Sequence, residues 1–298
     1  MELIGPTSQS FVSQRLRLHY VDWGRLRPDG SVKPTLVLVH GGKDHCRSWD
    51  WTALALRDEW HVVALDHRGH GDSDWVSDGV YQVQDMVYDL AQLVHQLGAG
   101  PVTIISHSMG GNVALRYAGI YPEMVRRIVA IEGLGPSPKL LAEQEQQPFP
   151  VRAREWIEKK RRASGRSVRK YATIEDAFAR MIEENNYLTE DQARHLTVHG
   201  VNRNEDGTFS WKFDPHLNVW AIGASEQVCV ETMWAAITCP TLLLYGANSW
   251  ASNPAKDGRI SHFRDAQVIE FENAGHWLHH DQFDRFMSTV NAFLSADR

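Results

Sequence analysis

The stretch Val102-Thr103-Ile104-Ile105-Ser106-His107-Ser108-Met109-Gly110-Gly111 constrains this chain most, because a β-branched run passes through a short string of small and polar residues directly into a helical segment. A strand that turns so abruptly into a helix lifts one side chain off the sheet edge. Crowding at such a turn restricts the residues two before and two after to small ones. Ser108 is the residue lifted, with Ser106 and Gly110 as its small neighbours. Its hydroxyl is a candidate nucleophile, and a serine hydroxyl needs a base to take its proton.

The runs on either side set the fold class. Thr35–Val39, His61–Leu65, Val102–Ile105, Ile128–Ile131, Thr241–Tyr245 and Gln267–Phe271 are short, bulky and apolar, as strands buried on both faces are. Helical segments separate them. Val83, Met86, Val87, Leu90, Val94 and Leu97 keep helical spacing until Gly98, and further helices are predicted over Asn112–Ala118 and Gln282–Leu294. The alternation predicts an α/β fold: a mostly parallel central sheet with helices on both faces. Between Gly135 and about Trp234 charged helical segments replace the strand rhythm, and Thr173 with Asp176 and Thr189 with Gln192 suit helix starts. The expected organisation is a core of residues 1–135 and 235–298 with a helical cap, 136–234, inserted into it.

Composition excludes several alternatives. With 298 residues, 43% hydrophobic and 23% charged, the chain has the make-up of a packed globular protein. The formal charge of −6 and the absence of a long basic run argue against a nucleic-acid or membrane partner. The basic stretch from Lys159 to Lys170 reads as a solvated helix face. Cys46, Cys229 and Cys239 cannot all pair and lack zinc-ligand spacing, so reduced thiols are expected. No signal-like or membrane-spanning segment is evident, which gives a cytoplasmic expectation. The glycine-rich turns lack both phosphate-cradle and dinucleotide patterns, so neither cofactor nor metal is expected. The expected partner is a small-molecule substrate, and homo-oligomerisation stays open.

Among 15 histidines, His276 is the best base, because Asn273-Ala274-Gly275-His276-Trp277 lies between the last strand and the closing helix, in reach of the sheet's carboxyl edge. His40 and His107 are read as packing or bonding locally, and His279 and His280 as a helix-entry pair, partly exposed or structural. Backbone N–H groups of Met109 and Gly42 are placed to hold an oxyanion.

His40-Gly41-Gly42, Asp66-x-Arg68-Gly69-His70-Gly71-x-Ser73, the Ser108 turn and Gly275-His276, in that order, resemble the α/β-hydrolase superfamily across nearly the whole chain. The resemblance implies a cap over the site, as in lidded esterases, dehalogenases, epoxide hydrolases and C–C bond hydrolases. It also implies an acid to orient His276, most often the Asp of a Gly-x-x-Asp turn after the strand that follows the cap. Here that turn reads Gly246-Ala247-Asn248-Ser249. Some members carry the acid one strand earlier, where this chain has Glu132; Asp257 is the second choice. A serine at the turn disfavours the aspartate chemistry of dehalogenases and epoxide hydrolases. The expected activity is hydrolysis of carboxylic esters or lactones of small to medium apolar substrates through an acyl-enzyme. The rivals are a serine-dependent diketone C–C hydrolase and a low-turnover binding homologue. Trp156, Phe178, Tyr187, Trp211, Phe213 and Trp220 are available to wall an apolar pocket.

Overall fold

Successive strand residues point to opposite faces of a sheet, and here each face meets its own layer of helices. The computed structural model describes residues 5–165, 167–185, 187–219 and 227–296. Strands β1 (Thr7–Ser13), β2 (Leu16–Asp22) and β3 (Thr35–Val39) precede helix α1 (Asp50–Leu56). Then follow β4 (His61–Leu65), α2 (Val83–Gln96), β5 (Val102–His107), α3 (Met109–Ile120) and β6 (Val125–Ile131). A long insert carries α4 (Pro138–Glu145), α5 (Phe149–Ser164), α6 (Ile174–Glu184), α7 (Glu190–Gly200) and the short hairpin β7 (Val201–Arg203) and β8 (Phe209–Trp211). Helix α8 (Gln227–Ala236) leads back to β9 (Thr241–Gly246), α9 (Pro254–Asp257), β10 (Ala266–Phe271), α10 (Leu278–Asp281) and α11 (Phe283–Ser295).

Eight strands form one sheet in the order β1-β2-β4-β3-β5-β6-β9-β10. The β1–β2 and β2–β4 pairs are antiparallel and the remaining pairs parallel. Along β3, Val37 and Val39 join the layer containing Met86 and Leu90 of α2, Val113 of α3 and Trp234 of α8. Leu36 and Leu38 join the opposite layer, with Ala53 of α1 and Phe286 and Val290 of α11. β4 and β9 divide their side chains the same way, and burial on both faces is why these strands read as continuous apolar runs.

The expected strands match β3 and β4 end for end and the others to within a few residues. The β1–β2 hairpin carries no comparable signal, since β1 is mostly exposed. In the insert, Thr173 and Thr189 each accept from the backbone three residues on and receive the returning side chain of Asp176 or Gln192, completing two capping boxes. Residue 234, the expected end of the insert, falls inside α8, and this helix packs on α3 with Val230 and Trp234 in the main core. Trp220 and the side chain of Cys229 lie outside the described residues; Cys46 and Cys239 are buried free thiols. Among the described residues no helix is long and apolar enough to cross a membrane.

Gly119 allows the close approach of α3 and α8: a Cβ there would sit 2.3 Å from the Met233 carbonyl oxygen. Both contacting atoms are backbone. Gly119→Ala is therefore expected to cost about 1–3 kcal/mol by overpacking, read as a lowered urea midpoint; an unchanged midpoint would show that the two helices are not held at this spacing.

Candidate active site

The carboxyl ends of the parallel strands gather the site. Between β5 and α3, Ser108 sits at φ 51° and ψ −118°, a strained conformation for a residue with a side chain. Its own N–H donates to the Ile131 carbonyl at 2.7 Å, and its carbonyl accepts from Asn112 at 3.1 Å. The turn needs its glycines. A Cβ on Gly110 would lie 2.3 Å from the His40 carbonyl oxygen, and one on Gly111 2.6 Å from the Gly133 Cα. Ser106 stays buried and donates its hydroxyl to the Val129 carbonyl.

Ser108 Oγ lies 2.9 Å from Nε2 of His276, and Nδ1 of His276 hydrogen-bonds Oε2 of Glu132. Glu132 ends β6, also at a positive φ of 51°, and is buried at 4% exposure. Its Oε1 accepts from the Gly246 N–H at 2.8 Å, and its Oε2 accepts from the Ser249 hydroxyl at 2.6 Å. Ser249 Oγ in turn accepts from the Ala251 N–H, so its own proton is directed at the carboxylate. With Glu132 ionised, all three neighbours donate to it. His276 then carries its proton on Nδ1 and offers a free lone pair on Nε2 to the serine.

Asp257 is elsewhere. Its carboxylate pairs with Arg259 at 2.7 Å and accepts from the Ser252 hydroxyl at 2.7 Å. Arg259 is buried and donates to the carbonyls of Leu134, Gly135, Pro136 and Ser252, which ties the chain just after Glu132 to the loop after β9. Asp257 thus holds a cation that braces the site.

The turn after β3 comes up against the serine. A Cβ on Gly41 would lie 3.2 Å from the Cβ of Ser108, and one on Gly42 3.9 Å from Sδ of Met109. Met109 opens α3, so its N–H belongs to the helix donors without an intrahelical acceptor. Gly42 thus lies against Met109, the residue that follows the serine.

The other histidines brace this centre. His40 Nε2 accepts from the His67 N–H, which leaves Nδ1–H to donate to the Gly41 carbonyl. His107 donates Nε2–H to the carbonyl of His276 at 2.9 Å, and His279 packs between His107 and Trp49. Two features had no reading in the sequence: the Ser249 hydroxyl, occupying the turn where a carboxylate was sought, and Trp250, 73% exposed with its ring 4.8 Å from that of His276.

The Asp66 motif serves as a scaffold. Asp66 accepts from His19 Nδ1, the Cys46 N–H and the Asp72 N–H. Burial alone would raise its carboxyl, but the His19 hydrogen bond and neighbouring charges bring it well below the usual range. Arg68 grips Asp89 of α2 through two 2.7 Å bonds. At Gly71, φ is +52° and a Cβ would collide with the Asp66 carboxylate at 2.2 Å. Among the described residues two groups have metal-ligand chemistry, His19/Cys46/Asp66 and Asp50/His195/His199. In both the acid is already engaged by protein donors, Asp50 by Arg47 and His195.

A cavity of about 600 Å³ opens beside Gly42, Lys43 and Trp277 and extends under the insert to Tyr171, Met181, Trp211 and Phe213. Of the other candidate aromatics, Phe178 lies beneath the Arg194 guanidinium, Tyr187 is half exposed against Gly275, and Trp156 is partly buried on α5.

Burial holds seven histidines neutral. His67 and His280 are pushed down to about 3, His70 and His199 to about 4, and His40, His107 and His279 well below their ordinary value. The unfolded chain protonates near pH 6.5, before the native state does, so stability is full above that pH and falls as pH drops through it. Each of these histidines therefore works against the native state once the pH falls below that point. Urea midpoints at pH 7.5, 6 and 5 are expected to fall in that order; equal midpoints would contradict neutral burial.

Comparison with known proteins gives a consistent family. The sequence profile of the alpha/beta hydrolase fold matches residues 34–283. The chain is 29% identical over 269 residues to the sn-1-specific diacylglycerol lipase ABHD11 of Mus musculus, covering 88% of this chain and 81% of that one. It is 32% identical over 206 residues to a serine hydrolase-like protein of Danio rerio, covering 67% and 61%. Among solved structures, the thioesterase domain from the curacin biosynthetic pathway superposes with a TM-score of 0.82 at 19% identity, covering 96% and 99%.

Proposed function

Because the chain belongs to the alpha/beta hydrolase fold family, we propose that it is a serine hydrolase cleaving carboxylic esters or lactones of small to medium apolar substrates through an acyl-enzyme. The observation that carries this reading is the continuous hydrogen-bonded line from Ser108 through His276 to Glu132. His276 takes the Ser108 proton as Oγ attacks the carbonyl carbon, and the N–H groups of Gly42 and Met109 receive the oxyanion. The protonated His276 then gives its proton to the leaving alkoxide. In the second half it draws a proton from water as the water oxygen attacks the acyl-serine, then returns that proton to Ser108 Oγ as the acid leaves.

Glu132 is the orienting acid in this scheme, since it holds the proton on Nδ1 and offsets the imidazolium charge. Ser249 and the Gly246 N–H keep that carboxylate in line. The inserted α4–α7 and the β7–β8 hairpin act as the cap, with Tyr171, Trp211 and Phe213 lining the cavity together with Trp277. The name of the Mus musculus relative, a lipase acting on diacylglycerol, supports ester rather than carbon–carbon chemistry.

Hydrolysis of a short-chain p-nitrophenyl ester tests the assignment. Ser108→Ala is expected to lose about 10⁴-fold or more in kcat, and Glu132→Gln about 10²–10⁴-fold through the wrong tautomer. Ser249→Ala removes one donor to a charged group and is expected to cost about tenfold. Asp257→Asn is expected to retain far more activity than Glu132→Gln. The reverse order for Glu132 and Asp257 would move the acid, and diketone cleavage without ester turnover would contradict the ester reading.

A further inference from the structure

Charge around the cavity is out of balance. Its lining includes Lys43, Arg169 and Arg180 but a single carboxylate, Glu184. Arg180 pairs with both Glu183 and Glu184, which leaves Glu184 neutralised. Among the described residues neither Lys43 nor Arg169 has a carboxylate partner. The lining therefore carries two uncompensated positive charges, in a chain whose formal charge is −6. Cations that border a half-enclosed cavity without a counter-ion attract an anion from solution, more strongly as the walls exclude water.

Both cations are exposed residues on the lining of this one cavity. Lys43 follows Gly42, the proposed oxyanion donor, and sits at a φ of 62° that turns the chain beside the reacting carbonyl. Arg169 lines the cavity from the insert, with its guanidinium 5.1 Å from the ring centroid of Tyr171. Tyr171 is itself pinned by paired backbone bonds to Phe209, both 2.8 Å. A guanidinium stacked on a fixed ring loses little freedom when it grips a carboxylate. The same lining offers apolar surface from Val168, Met181, Trp211, Phe213 and Trp277, beside the uncharged polar Ser167, Asn185 and Asn218.

We propose that the substrate is an anionic ester, with an apolar chain along these walls and a carboxylate end group bound by Lys43 and Arg169. This rests on the hydrolase reading and adds the substrate class to it. The ester bond stays at Gly42 and Ser108 while the free carboxylate keeps its proton off at neutral pH. No bond to it is made or broken.

The test compares p-nitrophenyl hydrogen adipate with p-nitrophenyl hexanoate, which share chain length and differ in terminal charge. The wild type is expected to favour the adipate by about tenfold or more in kcat/KM, mostly through KM, and to lose that preference as salt screens the charges. Lys43→Gln and Arg169→Gln are each expected to lower the adipate-to-hexanoate ratio by about tenfold. Calorimetric titration of Ser108→Ala with monomethyl adipate supplies a readout that needs no turnover, and binding is expected to weaken in the added presence of either substitution. Turnover of both esters without preference would overturn the anionic substrate and leave the hydrolase reading standing. Turnover of neither would sink the hydrolase reading, and the titration would then decide the anion site by itself: no binding of monomethyl adipate overturns it.

Discussion

The carboxylate of Glu132 is the point on which the site's geometry depends. It is buried at the end of β6, and a buried charge is tolerable only when hydrogen-bond donors surround it. Gly246, Ser249 and His276 supply those donors from two other loops. The same bonds that make the charge acceptable also draw the loops after β9 and β10 onto the end of β6. Ser108 is reached through His276, so its alignment is set by this one anion.

Strain collects where that alignment is made. Lys43, Ser108, Glu132 and Asn273 all take positive φ without being glycine, and all lie on loops at the carboxyl ends of the sheet. Such conformations persist only where the surroundings over-determine them. Here the surroundings are the buried histidines, the Arg259 bridge across the carbonyls of residues 134–136, and Asp66 with its ring of donors. These groups stand outside the line from Ser108 through His276 to Glu132, yet they hold the loops that carry it.

Much of this was legible in the sequence, because it depends on backbone demands that few residues meet. A turn with Gly110 and Gly111 against other backbone admits no other side chain, so Ser108 could be picked from its neighbours alone. The parallel strands were legible because burial on both faces makes the middle of β3, β4 and β9 a run of apolar residues. Glu132 was less so. A strand-end carboxylate is as compatible with a salt bridge as with a hydrogen bond to histidine, and Asp257 had the more usual strand before it. What separates them is the direction in which a positive φ turns the chain after Ile131, which no spacing encodes. Ser249 was legible only as a missing acid, since its role comes from a contact between residues 117 positions apart. The β1–β2 hairpin and the cavity under the insert depend on long-range packing in the same way.

The most direct measurement is the rate at which an organophosphonate labels the protein, followed by peptide mass. The account predicts a single adduct on the peptide containing Ser108, formed quickly by the wild type and far more slowly by Glu132→Gln, with Asp257→Asn close to wild type. An adduct elsewhere, or equal labelling rates in the wild type and Glu132→Gln, would contradict the claim that Glu132 and His276 activate Ser108.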